Sequence, residues 1–185
     1  MLVHKGTQKI ETERLILRKF KLSDSEYMFK NWATDSEVCK FLSWSPHSDL
    51  SETEQVVENW INTYIYDNYY NWAIELKEIG EIIGQISIMN LNERYYSCEV
   101  AYNIGRSFWG KGIMSEALRA VIIYMIKNIG INRLEAKHDT KNPASGRVMQ
   151  KSGMKYEGIM RQVKINKHGY FYDLALYSVL KSDLK

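Results

Sequence analysis

The stretch that most constrains this chain runs from Arg106 to Ala117, where a glycine-bearing turn passes directly into a helix. Upstream, Tyr96, Cys98, Val100, Tyr102 and Ile104 occupy every second position, the signature of a strand with one apolar face. Downstream, Met114, Ala117, Leu118, Val121, Ile122, Met125, Ile126 and Ile129 follow the i, i+3, i+4, i+7 rule of a buried helix. The first N–H groups of such a helix have no intrahelical acceptor and sit at the positive end of its dipole. No Ser, Thr, Asp or Asn immediately precedes Ile113 to cap them; only Gly110 or Gly112 is placed to do so. An anion can therefore serve as the cap. Glycine admits close approach and positive φ, and Arg106 and Lys111 add charge on either side, so the turn suits a pyrophosphate. The other reading is a tight turn between solvated basic residues, because the run has neither the full Walker pattern nor the third glycine of the dinucleotide fingerprint.

The 185 residues suit one domain, 1–185, and 45% hydrophobic with 25% charged residues is ordinary for a soluble globular chain. A net charge of +3 is too small to argue for a nucleic-acid partner and does not oppose an anionic ligand. Residues 1–13 are polar with no apolar h-region, and no apolar run approaches membrane-spanning length. A cytoplasmic protein without a membrane partner is expected. Cys39 and Cys98 are far apart and read as reduced thiols. His4, His47, His138 and His168 show no ligand spacing, so no metal site is expected.

In chain order, Leu15 and Leu17 mark an opening strand. Three capping boxes follow, Ser23 with Glu26, Thr34 with Glu37 and Ser51 with Glu54, and Leu22 is placed to staple onto Tyr27. Residues 22–66 are thus expected to be helical, the last helix burying Val56, Val57, Trp60, Ile61, Tyr64 and Ile65. Trp32, Phe41, Trp44, Trp60, Tyr64, Tyr66, Tyr69, Tyr70 and Trp72 crowd this region, either as core or, around the aperiodic loop 42–47, as the lining of a specificity pocket. The period then changes to two. Trp72, Ile74 and Leu76, a turn at 78–81, and Ile82, Gly84, Ile86 and Ile88 make an antiparallel meander that continues into the strand at 95–105. After the central helix Gly130 is a stop, 133–138 a strand, and Asn142-Pro143 the start of a second helix that Gly153 ends. Residues 154–180 alternate around a hairpin signal at Asn166, Lys167, His168 and Gly169. The expected fold class is α/β (α+β): a mixed, mostly antiparallel sheet containing one strand-helix-strand crossover with parallel strands.

The chain resembles the GCN5-related N-acetyltransferases, and among them the ribosomal-protein N-terminal acetyltransferase type. The resemblance is carried in order by Thr12 to Arg18, by Trp72-Ala73-Ile74 with Ile83-Gly84-Gln85-Ile86, and by Glu99-Val100-Ala101-Tyr102 with Trp109-Gly110-Lys111-Gly112 and Glu116-Ala117. Asn142-Pro143-Ala144-Ser145 with Lys151-Ser152-Gly153-Met154 completes it. It implies that this family's fold has helices on both faces of the sheet. It also implies acetyl-CoA as co-substrate, with the N–H groups of Gly110, Lys111, Gly112, Ile113 and Met114 on the pyrophosphate. The strand ending at Ile104 is then expected to splay from its parallel neighbour, so that the pantetheine arm pairs with Asn103, Ile104 and Arg106. Asn142 would add a hydrogen bond to that arm. Ser107 stands where the family pattern has Gln or Arg, with Arg106 adjacent.

Acetyl transfer to nitrogen requires a polarised thioester carbonyl, an unprotonated amine and a proton donor for the thiolate. An unpaired N–H near Asn103 or Ile104 would polarise the carbonyl. Glu99, alternating with Val100 onto the face of Ala101 and Asn103, is the candidate base; a solvated or ion-paired carboxylate is the other reading. Ser145 is the candidate acid by its motif position, and a first-turn helix residue otherwise; Tyr102, Tyr156 and Tyr177 are alternative donors that otherwise read as core. At neutral pH, freeing an α-amine of pKa ~8 costs about 1 kcal/mol, but a lysine amine of pKa ~10.4 costs roughly 4 to 5 kcal/mol. A terminal amine thus needs less help from a base; the expected acceptor is a protein N-terminus or a small amine such as a polyamine, amino sugar or antibiotic, between which the sequence does not choose, and a homodimer is compatible with the chain. A catalytically idle acyl-CoA sensor, and a nucleotide-binding module using the same turn, are the competing classes.

Overall fold

The computed structural model describes residues 1–166 and 169–184. Among them lie the strands β1 (Ile10–Glu11), β2 (Leu15–Arg18), β3 (Asn71–Leu76), β4 (Glu81–Asn92), β5 (Ser97–Ile104), β6 (Arg133–Asp139), β7 (Lys155–Ile165) and β8 (Phe171–Leu180). They form one sheet in the order β1-β2-β3-β4-β5-β6-β8-β7. The helices are α1 (Asp24–Met28), α2 (Ser36–Cys39), α3 (Leu50–Thr63), α4 (Ile113–Tyr124) and α5 (Pro143–Lys151). β5 and β6, joined through α4, are the parallel pair, and every other neighbouring pair is antiparallel.

The parallel pair is short. It joins Ser97 to Arg133, Cys98 to Leu134 and Glu99 to Glu135, after which β5 runs on to Ile104 beside β4 and β6 runs on to Asp139 beside β8. The two strands part and leave a fork in the middle of the sheet.

Alternation sends Trp72, Ile74, Ile86, Cys98 and Val100 to one face, where they meet Ala117, Leu118, Val121 and Ile122 of α4 in the larger core. Each fully buried Leu or Ile there contributes about 1.5–3 kcal/mol, which anchors α4 beside the fork. Ala73 and Ile82 face the other way, against Phe20, Met28, Trp32 and Val57. Helices therefore cover both faces.

The first helical segment departs from expectation in its caps. Ser23 makes no side-chain cap bond to α1; the buried Asp24 beside it instead takes Arg18 and the Lys21 N–H. Asp35, not Thr34, caps α2, and Asp49, not Ser51, caps α3, where Glu52 reaches back to the Ser48 N–H. The box is real but lies two residues earlier, since an Asp carboxylate outcompetes a nearby hydroxyl for helix N–H groups. Leu22 is exposed and makes no staple, and Ile65 lies exposed beyond the end of α3. Trp32, Tyr70 and Trp72 are core, and Trp44, Trp60 and Tyr64 pack on the smaller cluster. The loop at 42–47 is pinned to α3 by His47 Nδ1 and Thr53 Oγ1, 2.7 Å apart. Cys39 and Cys98 are buried and form no disulfide. Of the expected hairpin turn, Lys167 and His168 lie outside the described residues, while Asn166 N–H donates to Tyr170 O.

Candidate active site

The glycine turn folds as its composition dictates. Gly110 and Gly112 both adopt φ +74°, a conformation that costs other residues about 1–2 kcal/mol. Gly112 is the N-cap of α4 and offers no side chain to it. The first helical bond runs from Glu116 N–H to Gly112 O at 3.1 Å, so the N–H groups of Ile113, Met114 and Ser115 have no carbonyl within the helix to donate to. Open space surrounds the Gly110 Cα. The basic residues divide: Lys111 stays exposed with Nζ 5.7 Å from the Phe108 ring centre, whereas Arg106 is drawn away into an ion pair with Asp35 at 2.9 Å.

The turn is braced from the first strands. Glu116, in the first turn of α4, accepts from Thr12 Oγ1 at 2.6 Å, from Arg14 N at 3.0 Å and from Arg14 Nε at 2.6 Å. Arg14 Nη1 also donates to Lys111 O at 3.0 Å. Burial works against the Glu116 charge, but the Thr12 and Arg14 hydrogen bonds outweigh it and hold the carboxyl below its ordinary range.

At the fork, Gly105 N–H donates to Ile83 O. By the alternation of an antiparallel ladder, Asn103 likewise turns its main chain towards β4, while Tyr102 and Ile104 turn theirs into the opening. Of the strand residues expected to pair with an extended arm, Ile104 is thus available through its N–H, its carbonyl being held by Trp109 Nε1 at 2.9 Å. Asn103 is not so turned, and its main-chain place is taken by Tyr102. The Asn103 side chain bonds Gln85 Oε1 at 3.2 Å.

Across the fork, Asn142 caps α5, its Oδ1 accepting from Ser145 N–H at 3.4 Å with Pro143 at the first helical position. Tyr102 and Ser145 meet: the two hydroxyl oxygens are 3.0 Å apart, and the Tyr102 hydroxyl also donates to Ser145 O at 3.0 Å. Burial pushes the Tyr102 phenol well above its ordinary range, so it remains a neutral donor. A side chain at Gly146 would place its Cβ 2.6 Å from His138 Nε2, so glycine is what lets α5 lie against β6.

Glu99 occupies the last paired position before the strands part. Its carboxylate accepts from Lys137 Nζ at 2.7 Å and from Asn90 Nδ2 at 3.0 Å. The ion-paired reading is therefore the geometry present, with a lysine as the partner. Lys137 also lies 3.6 Å from Glu135, which pairs with Arg133, and Arg133 pairs with Glu157. Hydrogen bonds from Arg133 and Ser178 lower the Glu157 pKa to about 2. Beside Glu99, burial, aided by the Glu135 charge, pushes the Cys98 thiol up to about 12, which makes it a poor nucleophile.

Glu99 and Ser145 therefore stand on opposite faces of the sheet, because Tyr102, which reaches Ser145, and Glu99 have opposite parity on β5. The sequence reading ranked the Tyr102 hydroxyl below Ser145 as a donor and identified neither Lys137 nor the Arg14–Glu116 brace. Arg14 and Glu116 both lay within stretches already singled out, but nothing local joins residues 102 positions apart. Among the described residues no three His, Cys, Asp or Glu side chains come together as a metal site requires, and no helix is long and apolar enough to cross a membrane.

The acetyltransferase (GNAT) domain model matches residues 14–155, and the chain belongs to that family. It is an acetyl-CoA-dependent N-acetyltransferase. An uncharacterized N-acetyltransferase of Bacillus licheniformis is 31% identical over 95% of this chain and 98% of that protein. The ribosomal protein uS5-alanine N-acetyltransferase of Escherichia coli is 37% identical over 81% of this chain and 79% of its own. Among solved structures, a GNAT-family acetyltransferase from Bacillus anthracis matches with TM-score 0.83 at 24% identity, covering 95% of this chain and 99% of that one. A microcin self-immunity acetyltransferase, solved with acetyl-CoA and AMP, matches with TM-score 0.82 at 21% identity over 91% and 93% of the two chains.

Proposed function

We propose that the acceptor is an amine of low basicity, a protein N-terminal α-amine in the first place, and that it attacks the thioester directly. The observation that carries this reading is the engagement of Glu99 by Lys137 and Asn90. Both bonds fall on Oε2, so the carboxylate has only part of its accepting capacity left for an amine proton. It suffices for an α-amine, which costs about 1 kcal/mol to free, and not for a lysine amine at roughly 4 to 5 kcal/mol. The name of the Escherichia coli relative, an alanine N-acetyltransferase acting on a ribosomal protein, points the same way.

In this scheme the N–H groups from Gly110 to Met114 hold the pyrophosphate, and Tyr102 and Ile104 pair with the pantetheine arm. The Asn142 amide hydrogen-bonds the arm from the other side of the fork. The amine nitrogen forms its bond to the carbonyl carbon as the C–S bond breaks; Glu99 receives the amine proton through water, and the Ser145 hydroxyl gives its proton to the departing sulfur and regains one from solvent. The opposite placement of Glu99 and Ser145 suits this, with amine arriving on one face and thiolate leaving on the other. The inert Cys98 gives no support to an acetyl-cysteine intermediate.

The test is thiol release from acetyl-CoA over a panel of peptides with free N-termini, Nα-blocked lysine peptides, polyamines and amino sugars. Turnover with free N-termini and none with blocked lysine peptides is expected. Preference for lysine would overturn the reading. Acetyl-CoA binding with no thiol release on any acceptor would favour an acyl-CoA sensor.

A further inference from the structure

We infer that Arg14 is a positioning residue for the pyrophosphate cradle, acting by geometry rather than by its charge. The inference rests on the reading that the turn at 110–114 holds the pyrophosphate. A trans peptide is planar, so the carbonyl of one residue and the N–H of the next point in opposite directions. Arg14 Nη1 holds Lys111 O at 3.0 Å. The N–H of Gly112, across the same peptide plane, is thereby aimed away from Arg14. Gly112 has φ +74° and no side chain of its own to define this peptide's orientation, so the restraint comes from outside the turn.

The guanidinium is itself fixed. Its Nε meets Glu116 Oε2 at 2.6 Å, and the Arg14 main-chain N–H meets Glu116 Oε1 at 3.0 Å. Thr12 Oγ1 donates to the same oxygen at 2.6 Å. One carboxylate in the first turn of α4 thus grips both ends of the arginine, and the arginine grips the turn that starts α4. The ring of contacts closes on the peptide that must stay oriented for the anion. Because Glu116 neutralises the guanidinium, little net charge is left to attract a phosphate at a distance. What remains is the fork geometry of arginine, with one N–H to a carboxylate and another to a carbonyl, which an ammonium group at the end of a lysine chain cannot reproduce.

The experiment compares two thioesters that differ in the part the cradle holds. Acetyl-CoA binding is measured by isothermal titration, and S-acetylpantetheine, which lacks the pyrophosphate and nucleotide, by NMR titration suited to millimolar affinity. Arg14→Gln is expected to raise the Kd for acetyl-CoA about tenfold and to leave that for S-acetylpantetheine unchanged, an effect of the size seen for one well-placed hydrogen bond to a charged group. Arg14→Lys, which keeps the charge, should show the same selective loss. Glu116→Gln, which keeps the shape of the side chain, should show a smaller one, about threefold, and stands in if the Arg14 variants fail to fold. Full affinity in Arg14→Lys would assign the effect to charge and overturn the inference. So would equal losses for both thioesters, or unchanged binding in Arg14→Gln. Gly112→Asp in the same series separates the two levels. If it abolishes acetyl-CoA binding while Arg14→Gln does nothing, only the positioning role falls. If Gly112→Asp also binds normally, the pyrophosphate reading falls and takes the positioning role with it.

Discussion

Two helix N-termini flank the fork, and they are finished in opposite ways. α5 caps itself: Asn142 bonds the Ser145 N–H, and Pro143 removes one N–H that would otherwise need a partner. α4 starts at a glycine with no side chain and is braced from outside by Arg14 and Glu116. A self-capped end is stable without a ligand and is free to present side chains such as Ser145. An uncapped end leaves its N–H groups for an anion, and the fold must supply the order that a cap would have given. On the proposed reading, the same sheet carries one helix end for binding and one for chemistry.

The sharpest way to break this contrast is Gly112→Asp. The substitution places a carboxylate at the positive end of α4 and strains a position with φ +74°. Acetyl-CoA affinity measured by titration is expected to fall by about a hundredfold or more, with Gly112→Ala, which carries the strain alone, falling less. Equal losses in the two would mean that conformation, not anion binding, is what the glycine serves.

Both helix starts were legible in the sequence, for a local reason. Helical periodicity from Met114 to Ile129, the Gly-x-Gly turn and the Asn-Pro start are all written within a few residues of where they act. The parallel pair followed from the crossover, and its fork from the family resemblance alone. Legibility ended where partners are distant. Glu99 meets Lys137 from another strand, Arg14 meets Glu116 from the far end of the core, and Tyr102 meets Ser145 across the fork. The shifted caps show a smaller failure of the same kind: several hydroxyls and carboxylates lie within two residues of each helix start, and pattern alone does not say which one the backbone presents.

Ser145 and Asn142 sharpen the α5 side. Ser145→Ala is expected to lower kcat about tenfold at unchanged acetyl-CoA affinity, below the usual contribution of a general acid because a hydroxyl is a poor one. Steady-state kinetics with the best acceptor checks it, and an unchanged kcat would leave Ser145 a helix residue only. Asn142→Ala removes the cap and should destabilise the fold by about 1 kcal/mol, seen as a fall in Tm of roughly 2–4 °C. The same residue has been given a hydrogen bond to the pantetheine arm, so acetyl-CoA affinity should fall only a few-fold. A hundredfold loss would instead make α5 a second binding end and erase the distinction.

The smallest effect separates the two ends by pH. Glu116 braces α4 as a carboxylate whose folded-state pKa is held below the ordinary carboxylate range, the Thr12 and Arg14 hydrogen bonds outweighing burial. A depressed folded pKa stabilises the native state at pH values above the unfolded pKa, and the stabilisation is lost as pH falls through the folded value. Glu116→Gln should therefore be less stable than the parent at pH 7, by about 0.5 kcal/mol for a partly exposed pair, and the gap should close as the pH falls through that lowered folded value. The Asn142 cap is neutral and does not titrate, so the Asn142→Ala deficit should stay constant over the same range. Urea midpoints measured from pH 7 downward distinguish the two. A Glu116→Gln gap that persists at low pH would mean that the side chain braces α4 through packing alone, and the external brace would then be no different in kind from the cap on α5.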